Sequence, residues 1–442
     1  MKTTEQNLRD HFTEQFSDLT QSLNGGQVPE IKQLRSEAIK AFTQKGFPQG
    51  KEEEYKYTPI TKALLRSEIN LQSPAEVSMI PPFNEHLLPE LKGHILVFWN
   101  GRLVYSSEDF PESLEVQQMD QLGADREDLM VKYFGKISNY KKDAFAALNT
   151  ALFNHGSLIT VKENSKVDLP VIIYHLSDAR NGLVYSQTRH LVVVEKNAQV
   201  TLVEICKNLT PKQQNFHNTV SEIYLKEQAK LQLNKVQTGC SGMILVDNTD
   251  INQLEGSELM CNTITTNGTI VRNNLNITID GMDCTSHMNG LYLAKGTDHI
   301  DNHTLVDHRI ANSFSDELYK GIIDDSATGV FNGKIYVQPD AQKTNAFQSN
   351  KNILLSDKAS MNTKPQLEIW ADDVKCSHGA TTGQIDAEQV FYLRTRGLDE
   401  QQAKGLLLYA FATEFLEHIS LPALSDYLEQ VIADRLYRKI DE

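Results

Sequence analysis

Cys376 and His378, within ADDVKCSHGATTGQID at 371–386, are the side chains best placed to do metal chemistry. A thiolate and an imidazole suit soft iron or an iron-sulfur cluster better than magnesium or calcium. If the strand predicted from QLEIWADDVKCSH runs through them, positions i and i+2 share one face and both can reach one point. Two ligands cannot hold a cluster, so the remainder would have to come from a second chain. The competing reading is a buried structural cysteine beside a hydrogen-bonded histidine, and spacing alone favours it.

A second concentration lies at DHIDNHTLVDH, 298–308, with His299, His303 and His308 among Asp298, Asp301 and Asp307. In a strand, residues 299, 301 and 303 point one way and residues 302 and 308 the other, so they cannot surround one ion without a turn. Ladders of Asn, His and Thr on stacked strands are the expected use of these residues. GVFNGKIY at 329–336 has three residues between its glycines and Ile335 where a phosphate loop needs Ser or Thr, so it is no nucleotide site. No GxGxxG, GxSxG, HExxH or paired CxxC occurs.

The elements that must position these residues fall into three regions: 1–147, 148–385 and 386–442. In the first, Leu8, Phe12, Phe16, Leu19 and Leu23 have helical spacing that Gly25-Gly26 stops. A second helix starts at Pro29, carries Ile31, Leu34, Ala38 and Phe42, and is capped at Gly46. FPQGKEEEYKYTPI then reads as an irregular connector with Tyr55 and Tyr57 as anchors, and HILVFWNGRLVY reads as strand. From 148 on, short alternating runs of Val, Ile, Leu and Thr are separated by Asn, Asp and Gly. Ala198, Val200 and Leu202 recur as Ala229, Leu231 and Leu233, and a similar triplet is Ala359, Met361 and Thr363. Recurrence of this kind predicts a parallel β-helix, a solenoid whose coils of roughly 25 residues bury their inner faces against each other. A sandwich is the alternative architecture. The last region returns to helix, with capping-box spacing at Asp386/Gln389 and Asp399/Gln402, an apolar stretch from Leu406 to Phe415 packed on more than one side, and an amphipathic helix after Pro422.

Composition excludes several classes. The chain has 442 residues, 43 basic and 58 acidic, for a formal net charge of -15. That balance argues against nucleic acid and against an anionic membrane surface. No secretion signal is legible, and the longest apolar runs, HILVFW and LLLYAFA, are far shorter than the ~18–20 residues that cross a bilayer. A cytoplasmic protein is expected. Five scattered cysteines, 206, 240, 261, 284 and 376, fit reduced thiols rather than a disulfide framework.

Four runs at consistent order and spacing carry a resemblance: DNHTLVDH, GVFNGKIYVQPDAQKTNAFQSNKNILLSD, KPQLEIWADDVKCSHGATTGQID and FYLRTRGL. Over roughly residues 145–420 the chain resembles the SufB/SufD family of iron-sulfur cluster assembly proteins, its SufD branch in particular. EEEYKYTPI resembles the family's N-terminal segment, with Tyr55 where a tryptophan is common. The resemblance implies a parallel β-helix between N-terminal and C-terminal helical domains. It also implies pairing with a SufB paralogue through the β-helix ends and binding of a SufC ATPase through the C-terminal helices. His378 then matches the histidine that faces SufB where a transient iron-sulfur cluster forms, with Cys376 as a second candidate ligand. Asn350 stands where SufB-like chains carry the cluster-building cysteine, and Gly379 where they carry a glutamate. The implied role is a non-catalytic scaffold with no cofactor of its own when isolated; a homodimeric scaffold that works without SufB is a separate alternative, since a self-complementary edge could pair two identical rods. The rival from another class is a calcium-dependent carbohydrate enzyme on a solenoid, using Asp280, Asp283, Asp298 and Asp301.

Overall fold

The computed structural model describes residues 4–22, 28–66, 82–119, 124–180, 182 and 184–437. Helix α1 (Glu5–Ser22) buries Leu8 and Phe12, while Gly25 and Gly26 lie outside the described residues. Helix α2 (Pro29–Lys45) opens on its proline, whose missing N–H is no loss in the first turn, and ends where the Gly46 N–H donates to the Phe42 carbonyl at 2.7 Å. Gly46 has φ +73, a conformation open to glycine at no steric cost. Helix α3 (Ile60–Arg66) follows. Only one of the two expected aromatic anchors is buried. Tyr55 donates to Asp143 Oδ2 at 2.8 Å, whereas Tyr57 is 43% exposed.

Strands β1 (His94–Trp99) and β2 (Arg102–Ser106) form an antiparallel hairpin across Asn100-Gly101, both at positive φ, as the Asn-Gly turn dictates. Strand β3 (Leu114–Gln118) and helices α4 (Ala124–Tyr133) and α5 (Ala144–Leu152) complete the approach to the core.

Sixteen further strands then alternate between two sheets. One sheet receives β5 (Val171–Ser177), β7 (Gln199–Asn208), β9 (Lys230–Gly239), β11 (Glu258–Thr265), β13 (Thr285–Ala294), β15 (Phe314–Ile323), β17 (Asn345–Leu354) and β19 (Lys375–Gly383). The other receives β4 (His155–Val161), β6 (Tyr185–Val194), β8 (Asn215–Leu225), β10 (Met243–Gln253), β12 (Ile270–Ile279), β14 (His299–His308), β16 (Thr328–Val337) and β18 (Ser360–Ile369). Within each sheet these strands pair in parallel with the strand one coil away, which makes a β-solenoid of about eight turns. Two of the three recurring triplets stack on each other, Val200 pairing with Leu231 and Leu202 with Leu233, while Met361 and Thr363 lie in the other sheet against Gly329 and Phe331. Coils are longer than the expected 25 residues. Glu258 stacks on Lys230 and Phe314 on Thr285, spacings of 28 and 29, because two ten-residue strands and two turns fill each coil.

Among the described residues, further strands extend the first coil and none extends the last. Strand β1 extends the first sheet beyond β5 and β3 extends the second beyond β4, the latter antiparallel. At the far end β18 and β19 are the terminal strands of their sheets.

Between the sheets, an aliphatic interior runs from Leu202 through Leu233 to Tyr292 and Phe331. On the outer face of the first sheet a polar ladder runs from coil to coil: Asn289 Nδ2 donates to Asn262 Oδ1 and Asn262 Nδ2 to Asn234 Oδ1, each at 2.9 Å, and Asn262 Nδ2 also reaches the His418 carbonyl at 3.0 Å. Such ladders satisfy buried amides only when every coil keeps register. Helices α1, α2 and α5 cover the outer face of the second sheet through Phe145, Phe216, Ile244 and Val246. Helices α6 (Ala387–Thr395), α7 (Glu400–Thr413) and α8 (Pro422–Tyr437) follow the last strand, and α7 and α8 cover the outer face of the first sheet through Leu408, Ala412, Leu424, Leu428 and Ile432. Asp399 and Gln402 form the predicted capping box, while Asp386 caps α6 through the Glu388 N–H. Helix α7 is less enclosed than its composition suggests, with Leu406 43% exposed.

The N-terminal region is pinned to the solenoid by a buried ion pair. Arg189 and Glu222 side chains are fully buried and bonded to each other. Glu222 also accepts from the backbone N–H groups of Gly135 and Ser138 at 2.8 and 3.1 Å, and Arg189 donates to Thr150 Oγ1 at 3.0 Å. Glu222→Gln leaves the guanidinium charge buried without its counter-charge. It should lower unfolding free energy by about 3–5 kcal/mol in chemical denaturation.

Candidate functional site

Strand β19 continues through both candidate ligands, so Cys376 and His378 share a face as their spacing predicted. That face is the inner one. His378 stacks in register on Gln348 and Cys376 on Ala346, and both of these lower residues are buried between the sheets. With no coil above it, His378 is exposed at the open mouth of the solenoid. Cys376 is half-buried and leans on the apolar cluster of Ile335, Val337, Ala341 and Ala346, and this partial burial pushes its thiol pKa up. A raised thiol pKa disfavours the thiolate in the isolated chain. The other four cysteines are buried and none is in a disulfide.

Asn350 is fully buried one register step further along β17. Its Nδ2 donates to the Tyr319 carbonyl at 3.1 Å, and its Oδ1 accepts from Asn352 Nδ2 at 2.7 Å. It is a structural amide. Gly379 faces open space, with nothing within 4 Å of where a Cβ would stand.

The histidine-rich strand forms no ion site. His299 bonds Thr58 Oγ1 at 3.0 Å, His303 lies between Glu54 Oε2 at 3.2 Å and Asp301 Oδ1 at 3.1 Å, and His308 bonds Ser315 Oγ at 2.9 Å on the opposite face. Asp301 is ion-paired with Arg272 at 2.6 Å, Asp298 with Arg435 at 2.8 Å, and Asp280 with Arg309 at 3.2 Å. These carboxylates are spread over separate pairs and do not converge as a calcium site requires. Among the described residues no group of three or more His, Cys, Asp and Glu side chains could hold a metal. The strand serves instead to dock the connector. Glu54, its pKa lowered to about 2 chiefly by its bond to His303, joins Lys334, and Glu53 joins Lys364 of β18.

Two features escaped the sequence reading. The first is a buried column behind His378: Gln348 Nε2 donates to Glu317 Oε2 at 2.7 Å, and burial lifts the Glu317 carboxyl pKa to about 7. An isolated Glu and Gln 31 residues apart give no local signal. The second is a cleft of about 840 Å³ between the solenoid edge and α6–α8, lined by Leu293, Ile322, Val390, Arg394 and Leu408. Beside it Phe391 and Tyr392 are 68% and 56% exposed.

Taken together, a polar-laddered parallel β-solenoid, extended by added strands at one end and carrying an exposed imidazole on its last strand at the other, defines a solenoid scaffold, with no cluster of three or more metal-binding side chains among its described residues. The family model described as SUF system FeS cluster assembly, SufBD core domain, matches residues 174–411, and that of the SufBD protein N-terminal region matches residues 5–173. The chain belongs to the SufBD family of iron-sulfur cluster assembly proteins. It is 34% identical over 399 residues to an iron-sulfur cluster assembly SufBD family protein of Synechocystis, covering 88% of this chain and 87% of that one. It is 29% identical to the iron-sulfur cluster assembly protein SufD of Escherichia coli, covering 88% and 90%, and 28% identical to SufD of Bacillus subtilis, covering 79% and 82%. Among the described residues no helix is long and apolar enough to cross a membrane.

The raised Glu317 pKa has a pH consequence. Its carboxyl moves from 4.5 to about 7 on folding, so the native state holds this proton more tightly. The resulting stabilisation is complete below pH 4.5 and is lost as pH rises through about 7. Thermal unfolding followed from pH 4.5 to 8 should show a smaller decline for Glu317→Gln than for the parent chain.

Proposed function

We propose that this chain is a SufD-type scaffold subunit that pairs with a SufB-like paralogue through its last coil and supplies one imidazole ligand, His378, to an iron-sulfur cluster assembled at the junction. The single observation that carries this reading is the uncovered inner face of β19, which holds His378 in a fixed register at the mouth of the solenoid while every earlier coil is covered. Edge strands with free N–H and C=O groups are ready to pair with another chain. Asn350 already uses its amide inside the coil, which suits a subunit that leaves the sulfur-accepting thiolate and the carboxylate to its partner. Cys376 is the second candidate ligand, available once a nearby cation offsets the cost of its thiolate. The cluster is a transient cargo shared with the partner, and the chain itself catalyses nothing.

A SufC-like ATPase binds through the C-terminal helices, where Phe391 and Tyr392 of α6 and Leu406 of α7 offer exposed apolar surface. Helix α6 begins directly after β19, so closure of two ATPase subunits shears the junction and opens it to iron and sulfur. Without its paralogue, two copies of the chain pair through the same edges as a homodimer. The assembly works in the cytoplasm.

Co-expression with the paralogue and the ATPase, followed by anaerobic purification, tests this reading. His378→Ala should leave the complex intact and abolish the cluster absorption of the co-purified complex; an unchanged yield would remove His378 from the site. Phe391→Asp with Tyr392→Asp should weaken ATPase binding by about tenfold or more in calorimetry, because buried aromatic anchors commonly carry 2 kcal/mol or above, roughly.

A further inference from the structure

The residue beneath His378 has an unused hydrogen-bonding group. Gln348 is 3% exposed, and its Oε1 is buried without a hydrogen-bond partner. Its Nε2 is committed to Glu317, which stacks on it from the coil on the other side. The amide has little room to turn. A Cβ on Gly333, across the interior on β16, would lie 2.2 Å from Nε2, so that strand approaches closely because it carries glycine there. The other two amides on this face of β17, Asn350 and Asn352, already bond through both of their ends. The Gln348 oxygen therefore remains as an acceptor, without a partner in this structure, on the residue in register with His378 one strand spacing of about 4.8 Å away.

We infer that Gln348 is a positioning residue for His378: its Oε1 accepts the ring N–H, holds the imidazole in one tautomer, and turns the other ring nitrogen's lone pair toward the open end of the solenoid. Glu317 acts one step behind by holding the Gln348 amide with its oxygen outward. A neutral imidazole carries one N–H and one lone pair, and a ligand histidine commonly donates its remaining N–H to such an acceptor. The consequence for cluster assembly rests on His378 being the ligand proposed above; the hydrogen bond itself does not.

Selective ¹⁵N-histidine labelling of the full chain alone provides the test, with the His378 signals assigned by their loss in His378→Ala. At a pH where the ring is neutral, the parent chain should show two widely separated ring-nitrogen shifts, one N–H and one lone-pair nitrogen. In Gln348→Met these should move together toward the averaged values of imidazole in water, with the circular dichroism unchanged. Averaged shifts in the parent chain, or a separation that survives Gln348→Met, would overturn the inference; the first measurement decides even if the variant does not fold. In the anaerobically purified complex, Gln348→Met should lower the cluster bound per complex by about tenfold without loss of subunits. A tautomer that depends on Gln348, found together with unaltered cluster yield in His378→Ala, supports the inference and overturns the ligand role alone.

Discussion

A parallel solenoid buries each coil only against the coils on either side of it, and that constraint leaves one end to be satisfied from elsewhere. At the first coil the chain solves the problem itself, extending both sheets with β1 and β3 and closing the first with a hairpin. At the last coil β18 and β19 run out with their inner faces open. The asymmetry directs association to one end. Cys376 and His378 lie on one of the two strands at that end, whose outer edges are unpaired among the described residues.

Polar networks on both faces of the sheets fix the register of the coils that lead to that end. Asn ladders, the Tyr292–Asn350–Asn352 set and the Glu317–Gln348 pair each require neighbouring coils in exact register, because an amide left without its partner costs about 1–3 kcal/mol. A one-residue slip would turn every inward side chain outward. Outside the solenoid, the 53–58 connector clamps several coils together, through Thr58 to β14, Glu54 to β14 and β16, and Glu53 to β18. Its ion pairs are partly exposed, so their value lies in joining strands of successive coils more than in individual strength. The C-terminal helices brace the opposite sheet and reach the same end, with Lys320 bound to Glu414 and Arg435 to Asp298. The later coils are thus tied to two regions distant in sequence, the connector reaching β18 through Lys364 and the C-terminal region reaching β15 through Lys320.

Much of this was legible residue by residue. The Pro29 start and Gly46 stop of α2, the Asp399–Gln402 box and the shared face of Cys376 and His378 all follow from backbone preferences and side-chain period within a few residues, whereas the single strand read at HILVFWNGRLVY is two strands turned back at Asn100-Gly101. The stacking triplets announced a solenoid because parallel coils bury like residues on like. Local signals misjudged the coil length, and they misjudged environment: Tyr57 and Leu406 are exposed where anchoring and enclosure were expected, since helix and connector patterns do not say what lies opposite them.

What the sequence by itself determined was the repeating inner face, the helical flanks and the two candidate ligands on one side of one strand. Tertiary structure alone decided that this strand is the last, that His378 sits uncovered above Gln348 and Glu317, and that the histidine-rich strand is tied to the connector rather than to an ion. The reason is separation along the chain. Each of these relations joins residues about a coil or more apart, and which coil ends the stack or which residue lies behind another is set by long-range register, which no local pattern encodes.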